Sequence, residues 1–300
     1  MNTSLSISEK SAKDLASTVS ITPARKGKEL EIGNGFSALT FREKDFLGAM
    51  DPLVMVDHYQ MTEPTFGAHP HAGLSAVSVL FEDSEGKFHN RDSLGNDFDL
   101  MPGDLYWLKA GSGVVHDESP RPGAKIHGLQ VFVNLPALSK KSQPASLRVK
   151  AKDVPRHEQN GSRVRIVLGE SNGIAGQQSP ALPMTILDGH IDPRSVFSHQ
   201  INEDENAWLY AVKGELEVTI NKQKVKLIEG QSIAISSSVA ASLNPLWLLN
   251  TGNKTAHFVL FAAKPIGEAF VQKGPFVMST AEEIAEVEAN FAAGKLGRLA

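Results

Sequence analysis

Two segments of this sequence, His69-Pro70-His71 and Ala110-Gly111-Ser112-Gly113-Val114-Val115-His116-Asp117-Glu118, determine which fold and which kind of site we expect. Side chains on a β-strand alternate between its two faces, so residues two apart point the same way. His69 and His71 therefore share a face of one strand, and His116 shares a face of another with Glu118. If the two strands lie side by side, the four side chains converge.

The residues around the histidines support this strand assignment. Pro70 has no backbone N–H to donate, which favours a strand entry or a sheet edge over the middle of a sheet. The glycine-rich residues 110–113 predict a turn between a strand at 104–108 and the strand that carries His116. The sequence thus predicts two short strands that bring their polar side chains to one place.

Three imidazoles and a carboxylate are a ligand set for a borderline divalent metal: Fe, Mn, Ni, Cu or Zn. Four protein ligands leave positions open on a metal that prefers five or six, which is typical of a catalytic site rather than a closed structural one. The chain contains no cysteine, so a thiolate site is excluded. Isolated His-X-His segments are common on protein surfaces; the second segment, in matching phase, favours a metal site here.

Composition indicates an ordinary globular protein large enough for two packed domains. The chain has 300 residues, of which 41% are hydrophobic and 21% charged. Its formal net charge of −4 argues against a broad nucleic-acid-binding surface, which requires a basic excess. We therefore expect no direct nucleic-acid partner. We also expect no membrane partner, because no apolar run reaches membrane-spanning length. The polar start without a secretory-type stretch, and the lack of cysteine, favour a cytoplasmic location.

Short alternating or apolar runs separated by turn residues predict an all-β barrel or sandwich in each half of the chain. Residues 136–144, polar and flanked by proline, are expected to be the crossover between the halves. Residues 280–291 have helix-forming composition with apolar residues at helical spacing, and Ser279 or Thr280 is the expected N-cap. The predicted strands are 36–41, 74–81, 104–108, 129–134, 164–168, 184–188, 195–200, 207–212, 215–220, 224–227, 232–236, 246–251 and 257–263.

Several segments, in order, resemble the pirin family, a branch of the bicupins within the cupin superfamily. The resemblance extends from about Val19 to Glu283 and ends in a closing signature. The matching segments are 51–58 (Asp-Pro-Leu-Val-Met-Val-Asp-His), 68–73 (Ala-His-Pro-His-Ala-Gly), 101–107, 110–120, 128–135, 265–268 and 274–278 (Gly-Pro-Phe-Val-Met).

The resemblance implies an all-β fold of two tandem cupin (jelly-roll β-barrel) domains with a C-terminal helix. We expect a flexible tail at 1–18, a metal-binding cupin domain at 19–138, a second cupin domain at 139–279, and a helix with a tail at 280–300. The second domain is expected to lack a metal site, because its segment 197–201 has a single histidine, His199. Its segment 234–244 has neither a histidine nor a carboxylate. We interpret that domain as structural or regulatory.

The resemblance also implies a quercetin 2,3-dioxygenase-like activity. Fe(II) is the expected metal, held by His69, His71, His116 and Glu118, with Mn, Ni, Cu and Zn as alternatives. The expected partners are O₂ and a flavonol or related phenolic, and Glu118 is either the fourth ligand or the base that accepts a substrate hydroxyl proton. Two alternatives remain open: a metal- or redox-dependent regulator that binds a transcription factor or metabolic enzyme, and a Zn or Mn cupin isomerase.

The chain departs from the family immediately after the first two histidines. Pirins commonly continue with Arg-Gly-Phe-Glu-Thr, whereas residues 72–76 here are Ala-Gly-Leu-Ser-Ala. We favour a repacked strand face over a changed substrate, since these residues can point to either face. Two further residues are candidates for the substrate pocket: His58 at its entrance and Trp107 as an aromatic wall, with a core position as the alternative for Trp107.

Overall fold

Two large antiparallel sheets, packed face to face, join the two halves of the chain. The structure, a computed structural model, describes residues 19–237 and 245–299. The predicted tail at 1–18 and residues 238–244 of the segment 234–244 lie outside the described residues. Within them the all-β prediction with one C-terminal helix is confirmed.

The strands of the first half, in chain order, are β1 (Val19–Ile21), β2 (Arg25–Lys26), β3 (Lys28–Ile32), β4 (Phe36–Arg42), β5 (Leu53–Met61), β6 (His69–His71), β7 (Leu74–Leu80), β8 (Phe88–Asp92), β9 (Asp97–Leu100), β10 (Leu105–Lys109), β11 (Val114–Pro120), β12 (Ile126–Asn134) and β13 (Ala145–Val149). Short 3₁₀ helices lie at Glu43–Phe46, Ala137–Ser139 and Ala151–Asp153. The middle one falls within the predicted crossover.

The strands of the second half are β14 (Arg156–Gln159), β15 (Ser162–Leu168), β16 (Glu170–Ser171), β17 (Ile174–Ala175), β18 (Met184–Ile191), β19 (Val196–His199), β20 (Asn206–Lys213), β21 (Glu215–Ile220), β22 (Gln223–Ile228), β23 (Gln231–Ser237), β24 (Leu246–Asn250), β25 (Ala256–Ala263), β26 (Val271–Lys273) and β27 (Phe276–Met278). Helix α1 (Ala281–Ala292) follows. Among the described residues, no helix combines the length and the apolar character needed to span a membrane.

Each half forms a barrel from one large and one small antiparallel sheet. In the first half the large sheet has the order β13-β10-β7-β12-β5-β4-β3, and the small sheet has the order β6-β11-β8-β9. In the second barrel the large sheet has the order β1-β23-β20-β25-β18-β15-β14, so that β1 from the start of the chain joins it. The small sheet of this barrel has the order β19-β24-β21-β22. This is the predicted pair of tandem cupin domains.

The large sheet of the first half is buried on both faces. Along β5, Met55, Asp57, Tyr59 and Met61 face a cavity inside the first barrel, whereas Val56 faces the second barrel. We call the apolar layer between the barrels the interdomain core. Its members include Val56, Val77, Val79, Trp107, Leu129 and Val131 from the first half and Ile186, Trp208, Tyr210, Val259 and Phe261 from the second. Strand alternation therefore separates cavity residues from interface residues.

The ends of the chain cross between the halves. Strands β1 and β2 pair with β23 of the second barrel, and β13 pairs with β10 of the first. After β25 the chain returns to the first barrel, where Ile284, Val287 and Leu296 pack against Ala72 and Val115. Segments from both ends of the chain thus join the opposite barrel, and the domain boundaries at 138 and 279 stay predictions. Thr280 caps α1, its Oγ1 accepting the Glu283 N–H at 3.2 Å.

A hydrogen-bonded chain of polar side chains crosses the interdomain core. The two ring nitrogens of His58 lie 2.6 Å from the Tyr210 hydroxyl (Nδ1) and 2.7 Å from His127 Nε2 (Nε2), and His127 Nδ1 lies 2.8 Å from Asp83 Oδ1. If the Tyr210 hydroxyl donates to Nδ1 of His58, a neutral His58 carries its single N–H proton on Nε2 and donates it to His127. Burial accordingly lowers the pKa of His58 to about 3.

We expect acid to weaken the fold through His58. Its pKa is lower folded than unfolded, so unfolding takes up a proton below about pH 6.5, and the free energy of unfolding falls as pH drops from there towards 3. His58→Gln should reduce this slope by up to about 1.4 kcal/mol per pH unit, measured by urea unfolding between pH 4 and 7. His157→Gln, on edge strand β14, is the control. An unchanged slope in His58→Gln would contradict the assignment.

Candidate metal centre and its cavity

Three histidines from two neighbouring strands meet at one end of the first barrel. Strand β6 lies at the edge of the small sheet and pairs with β11, with His69 directly opposite His116. His116 Nε2 lies 3.0 Å from His69 Nε2 and 3.0 Å from His71 Nε2. One nitrogen from each ring falls within 4.8 Å of the others. The strand-alternation argument thus brings three of the four predicted ligands together.

The hydrogen bonds of these histidines suit a cation. His69 Nδ1 lies 2.8 Å from the Gly67 carbonyl oxygen, and His71 Nδ1 lies 3.2 Å from that of Pro275. A carbonyl only accepts, so each Nδ1 carries the proton and each Nε2 presents a lone pair. His116 Nε2 can donate to one of these lone pairs at most. The donor set therefore fits a metal ion, which would accept all three.

Burial keeps two of the imidazoles, those of His71 and His116, in the neutral form that binds metals. Burial, followed by the neighbouring charge of His69, lowers the pKa of His71 to about 3. Burial also lowers the pKa of His116 well below its usual value, and the other two histidines lower it further. Because a ligating imidazole must be deprotonated, this environment prepares the site for metal at neutral pH.

Glu118 lies in the same cavity but outside the histidine cluster. It shares a face of β11 with His116, is buried, and its Oε1 accepts a hydrogen bond from Ser78 Oγ at 2.6 Å. Burial raises its pKa to about 7; the Ser78 hydrogen bond lowers it, and the charges of Asp117 and Asp92 raise it further. The predicted ligand role of Glu118 stays a proposal.

The histidines and Glu118 line a cavity of about 290 Å³ whose walls are mainly aromatic and thioether side chains. Alternate residues of β5 form one wall, and β12 contributes Gln130 and Phe132. Such walls suit a flat, largely apolar ligand with a few polar groups. The lining consists of Phe36, Met55, Asp57, Tyr59, Met61, Phe66, His69, His71, Phe88, His116, Glu118, Gln130, Phe132, Gly274 and Pro275.

The two residues predicted for the substrate pocket do not line this cavity. His58 follows Asp57 and precedes Tyr59, so it points to the opposite face of β5, where it contacts Tyr210 of the second barrel. Trp107 is fully buried in the interdomain core, which agrees with the core alternative. In both cases strand alternation assigns the side chain to the interface face. Asp57 and Tyr59 were not predicted; alternation along 51–61 separates them from His58, but it does not say which face meets the cavity.

The departures from the family pattern after His71 are accommodated by packing. Ala72 is fully buried against Phe276 and the helix α1 residues, and its carbonyl oxygen accepts the Val277 N–H at 3.0 Å. Ser75 is also fully buried. Neither residue lines the cavity. The favoured interpretation, a repacked strand face, agrees with this placement.

The C-terminal segment 274–278 closes the site from outside the first barrel. It supplies the carbonyl oxygen that orients His71, and Gly274 and Pro275 complete the cavity wall. Buried Lys140 holds this segment against the first barrel. Its Nζ donates to the carbonyl oxygen of Val277 in the segment and to that of Gly73 in the barrel, each at 3.0 Å. Sequence reasoning found this segment only as a family signature and did not foresee its contact with His71.

A second cluster lies in the second half, where no metal site was expected. Asp188 and His190 share a face of β18, and His257 on β25 lies opposite His190. The spacing of two residues was visible in the sequence. However, Asp188 already accepts hydrogen bonds from His257 Nε2 at 2.6 Å and from Arg165 Nη1 at 2.7 Å. The guanidinium charge opposes a cation there, so we interpret the cluster as a buried ion pair with its histidine partner.

The pirin family model matches residues 34–133, and the model for the pirin C-terminal cupin domain matches residues 186–297. The chain belongs to the pirin family. It is 30% identical to pirin of Homo sapiens over 249 residues, 83% of each chain. It is also 33% identical to a pirin-like protein of Solanum lycopersicum. The match covers 83% of this chain and 82% of the Solanum lycopersicum protein.

Solved structures share this architecture. A quercetin 2,3-dioxygenase from Acinetobacter baumannii superposes with a TM-score of 0.79 at 26% identity, covering 93% of this pirin-family chain and 98% of that one. A bacterial pirin from Escherichia coli, solved in complex with nickel(II), has a TM-score of 0.59 at 17% identity, covering 83% and 100% of the two chains. The second likeness concerns the fold alone.

We expect metal binding to depend on the first cluster and not on the second. His71→Ala removes one of the three converging nitrogens and should abolish stoichiometric binding of Ni(II) or Fe(II), measured by calorimetric titration and elemental analysis. His257→Ala is the matched histidine change in the second cluster, and it should leave the stoichiometry of metal binding unchanged. A loss of bound metal in His257→Ala alone would reverse the assignment.

We also expect the C-terminal segment to control metal affinity. Gly73 has φ +72°, and a Cβ there would lie 2.0 Å from the Val277 carbonyl oxygen. Gly73→Ala should push this segment away from His71 and weaken metal binding by roughly 10- to 100-fold. Gly123→Ala carries similar backbone strain at φ +81° but meets nothing within 4 Å. Equal metal dissociation constants in the two variants would show that the segment does not orient His71.

Proposed function

We propose that this protein is a metal-dependent oxygenase of the quercetin 2,3-dioxygenase type, which cleaves a flavonol or related phenolic with O₂. The observation that carries the proposal is the convergence of three imidazole Nε2 atoms at one end of an aromatic cavity that also contains a buried carboxylate. The likeness to the Acinetobacter quercetin 2,3-dioxygenase supports it.

Fe(II) is the proposed metal, held by His69, His71 and His116, and Glu118 is proposed either as a fourth ligand or as the base that accepts a substrate hydroxyl proton. When bound, it supplies the redox-active Lewis acid that oxygenase chemistry on a phenolic requires. Mn, Ni, Cu and Zn accept the same donors, so the ligand set restricts the metal to this group without selecting one member.

The protein side chains supply orientation, desolvation and a proton acceptor. Phe36, Phe88 and Phe132 offer apolar surface to a flat ring and keep water from it. Ser78 engages Oε1 of Glu118, so Oε2 remains to accept the proton of a substrate hydroxyl. Gln130, whose Oε1 lies 3.0 Å from the Ser78 hydroxyl, extends this polar patch along the cavity wall.

A metal-dependent regulator is the second proposal, and one contact favours it. The hydrogen bond from His71 Nδ1 to Pro275 links a metal ligand directly to the C-terminal segment and through it to helix α1. A change in the metal's charge would thereby reach an exposed part of the chain. Hydrogen exchange in 271–278 that differs between ferrous and ferric protein, in the absence of turnover, would support this function; equal exchange would exclude it.

We expect iron-loaded protein to convert quercetin in air to a ring-opened product. The reaction is measured by oxygen uptake and by the mass of the product. Glu118→Gln should lower the rate by roughly 10²- to 10⁴-fold, because it removes the proton acceptor. Glu85→Gln is the matched control, because Glu85 is exposed, pairs with Lys125 at 3.2 Å and does not line the cavity. Absence of ring-opened product with the iron-loaded wild type would refute the activity.

A further inference from the structure

Tyr59 presents a buried hydroxyl that no described residue pairs with. Its ring lines the cavity, packed against Phe36 and Phe88, and the residue is 2% exposed. The hydroxyl has no hydrogen-bond partner among the described residues. A buried phenol usually has such a partner, because losing its hydration without compensation destabilises the fold. An unpaired hydroxyl on the wall of a cavity points to a ligand that pairs with it.

Asn90 is a second unpaired polar side chain, on the strand face that contributes Phe88 and Glu118 to the cavity wall. It is fully buried, and neither its Nδ2 nor its Oδ1 has a partner among the described residues. It lies two residues from Phe88 on β8 and directly opposite Glu118 on β11, so it shares a face with two residues of the cavity wall. An unpaired buried carboxamide offers both donors and an acceptor.

We propose that Tyr59 and Asn90 form a hydrogen-bonding subsite for the ring hydroxyl groups of a polyhydroxylated aromatic ligand. The inference rests on the proposed function in taking the ligand to be an aromatic bearing oxygen. Tyr59 binds one ring hydroxyl from the apolar wall, and Asn90 supplies the second hydrogen bond at the Glu118 side. Both groups can donate and accept, as a phenolic hydroxyl also does.

The two carboxyl groups near the subsite differ in their partners. Asp57 also lines the cavity and pairs with Arg42, whose Nη1 lies 2.6 Å from Oδ1. Glu118 accepts a hydrogen bond from Ser78 and has no cationic side-chain partner among the described residues. A hydroxylated ring can donate hydrogen bonds to oxygens of this kind, whereas an ionised carboxylic acid can only accept them. The subsite therefore suits hydroxylated rings.

The test compares the binding of two flavonols by the wild type, Tyr59→Phe and Asn90→Leu. Tyr59→Phe removes only the hydroxyl, and 3-hydroxyflavone differs from quercetin by lacking the other ring hydroxyls. With nickel-loaded, full-length protein under anaerobic conditions, we expect Tyr59→Phe to raise the dissociation constant of quercetin roughly 3- to 10-fold. The dissociation constant of 3-hydroxyflavone should stay the same. Asn90→Leu should show the same selectivity.

Stability distinguishes a binding role from a structural one. Because the Tyr59 hydroxyl has no partner in the described part of the chain, Tyr59→Phe should leave the midpoint of urea unfolding unchanged or raise it. Tyr210→Phe is the control: its hydroxyl contacts His58, so its loss should lower the midpoint and leave quercetin binding unchanged. A lower midpoint in Tyr59→Phe would identify a structural role and overturn the inference.

Binding and turnover separate this inference from the proposed function. Quercetin binding that depends on Tyr59, in protein that forms no ring-opened product with iron, would support the subsite and refute the dioxygenase. Equal quercetin affinity in wild type and Tyr59→Phe, an equal loss for both flavonols, or no quercetin binding by the wild type would each overturn the subsite.

Discussion

The arrangement of this molecule depends on one constraint: the large sheet of the first half is buried on both faces. Each strand must therefore divide its side chains between two interiors, because alternate residues point to opposite sides. On β5, Asp57 and Tyr59 face the cavity, while Val56 and His58 face the second barrel. The second barrel is thus required to cover the back of the wall that shapes the candidate site, although it contributes no histidine to that site.

A second dependence links the candidate metal centre to the end of the chain. His71 is oriented by the Pro275 carbonyl, and the segment carrying Pro275 is held by Lys140 and by the packing of helix α1 against the first barrel. Metal affinity and the docking of the C-terminal segment should therefore change together, since each stabilises the conformation that the other needs. The same contact relates the oxygenase and regulator proposals, because both place the metal beside a segment that reaches the surface.

The fold and the three histidines were accessible from sequence because they follow local rules. Alternation predicted the shared faces of His69 and His71, Pro70 indicated an edge strand, and the glycine-rich turn placed His116 on the neighbouring strand. The same rule, applied to 51–61, would have separated Tyr59 from His58. That step needed the knowledge that both faces of β5 are buried, which a run of apolar and polar residues does not reveal. The cluster of Asp188, His190 and His257 has a spacing that resembles a metal site, but Arg165 binds Asp188 there. Spacing in the sequence cannot show this contact.

The sequence by itself determined the class of fold and the strand faces that the clustered histidines share, because strand periodicity and turn chemistry act over a few residues. Only the tertiary structure decided which face of each strand meets the cavity, that Glu118 lies beside Ser78 outside the histidine cluster, and that Pro275 orients His71. These outcomes depend on contacts between residues far apart in the chain, and such contacts are set by how the barrels and the C-terminal segment pack together.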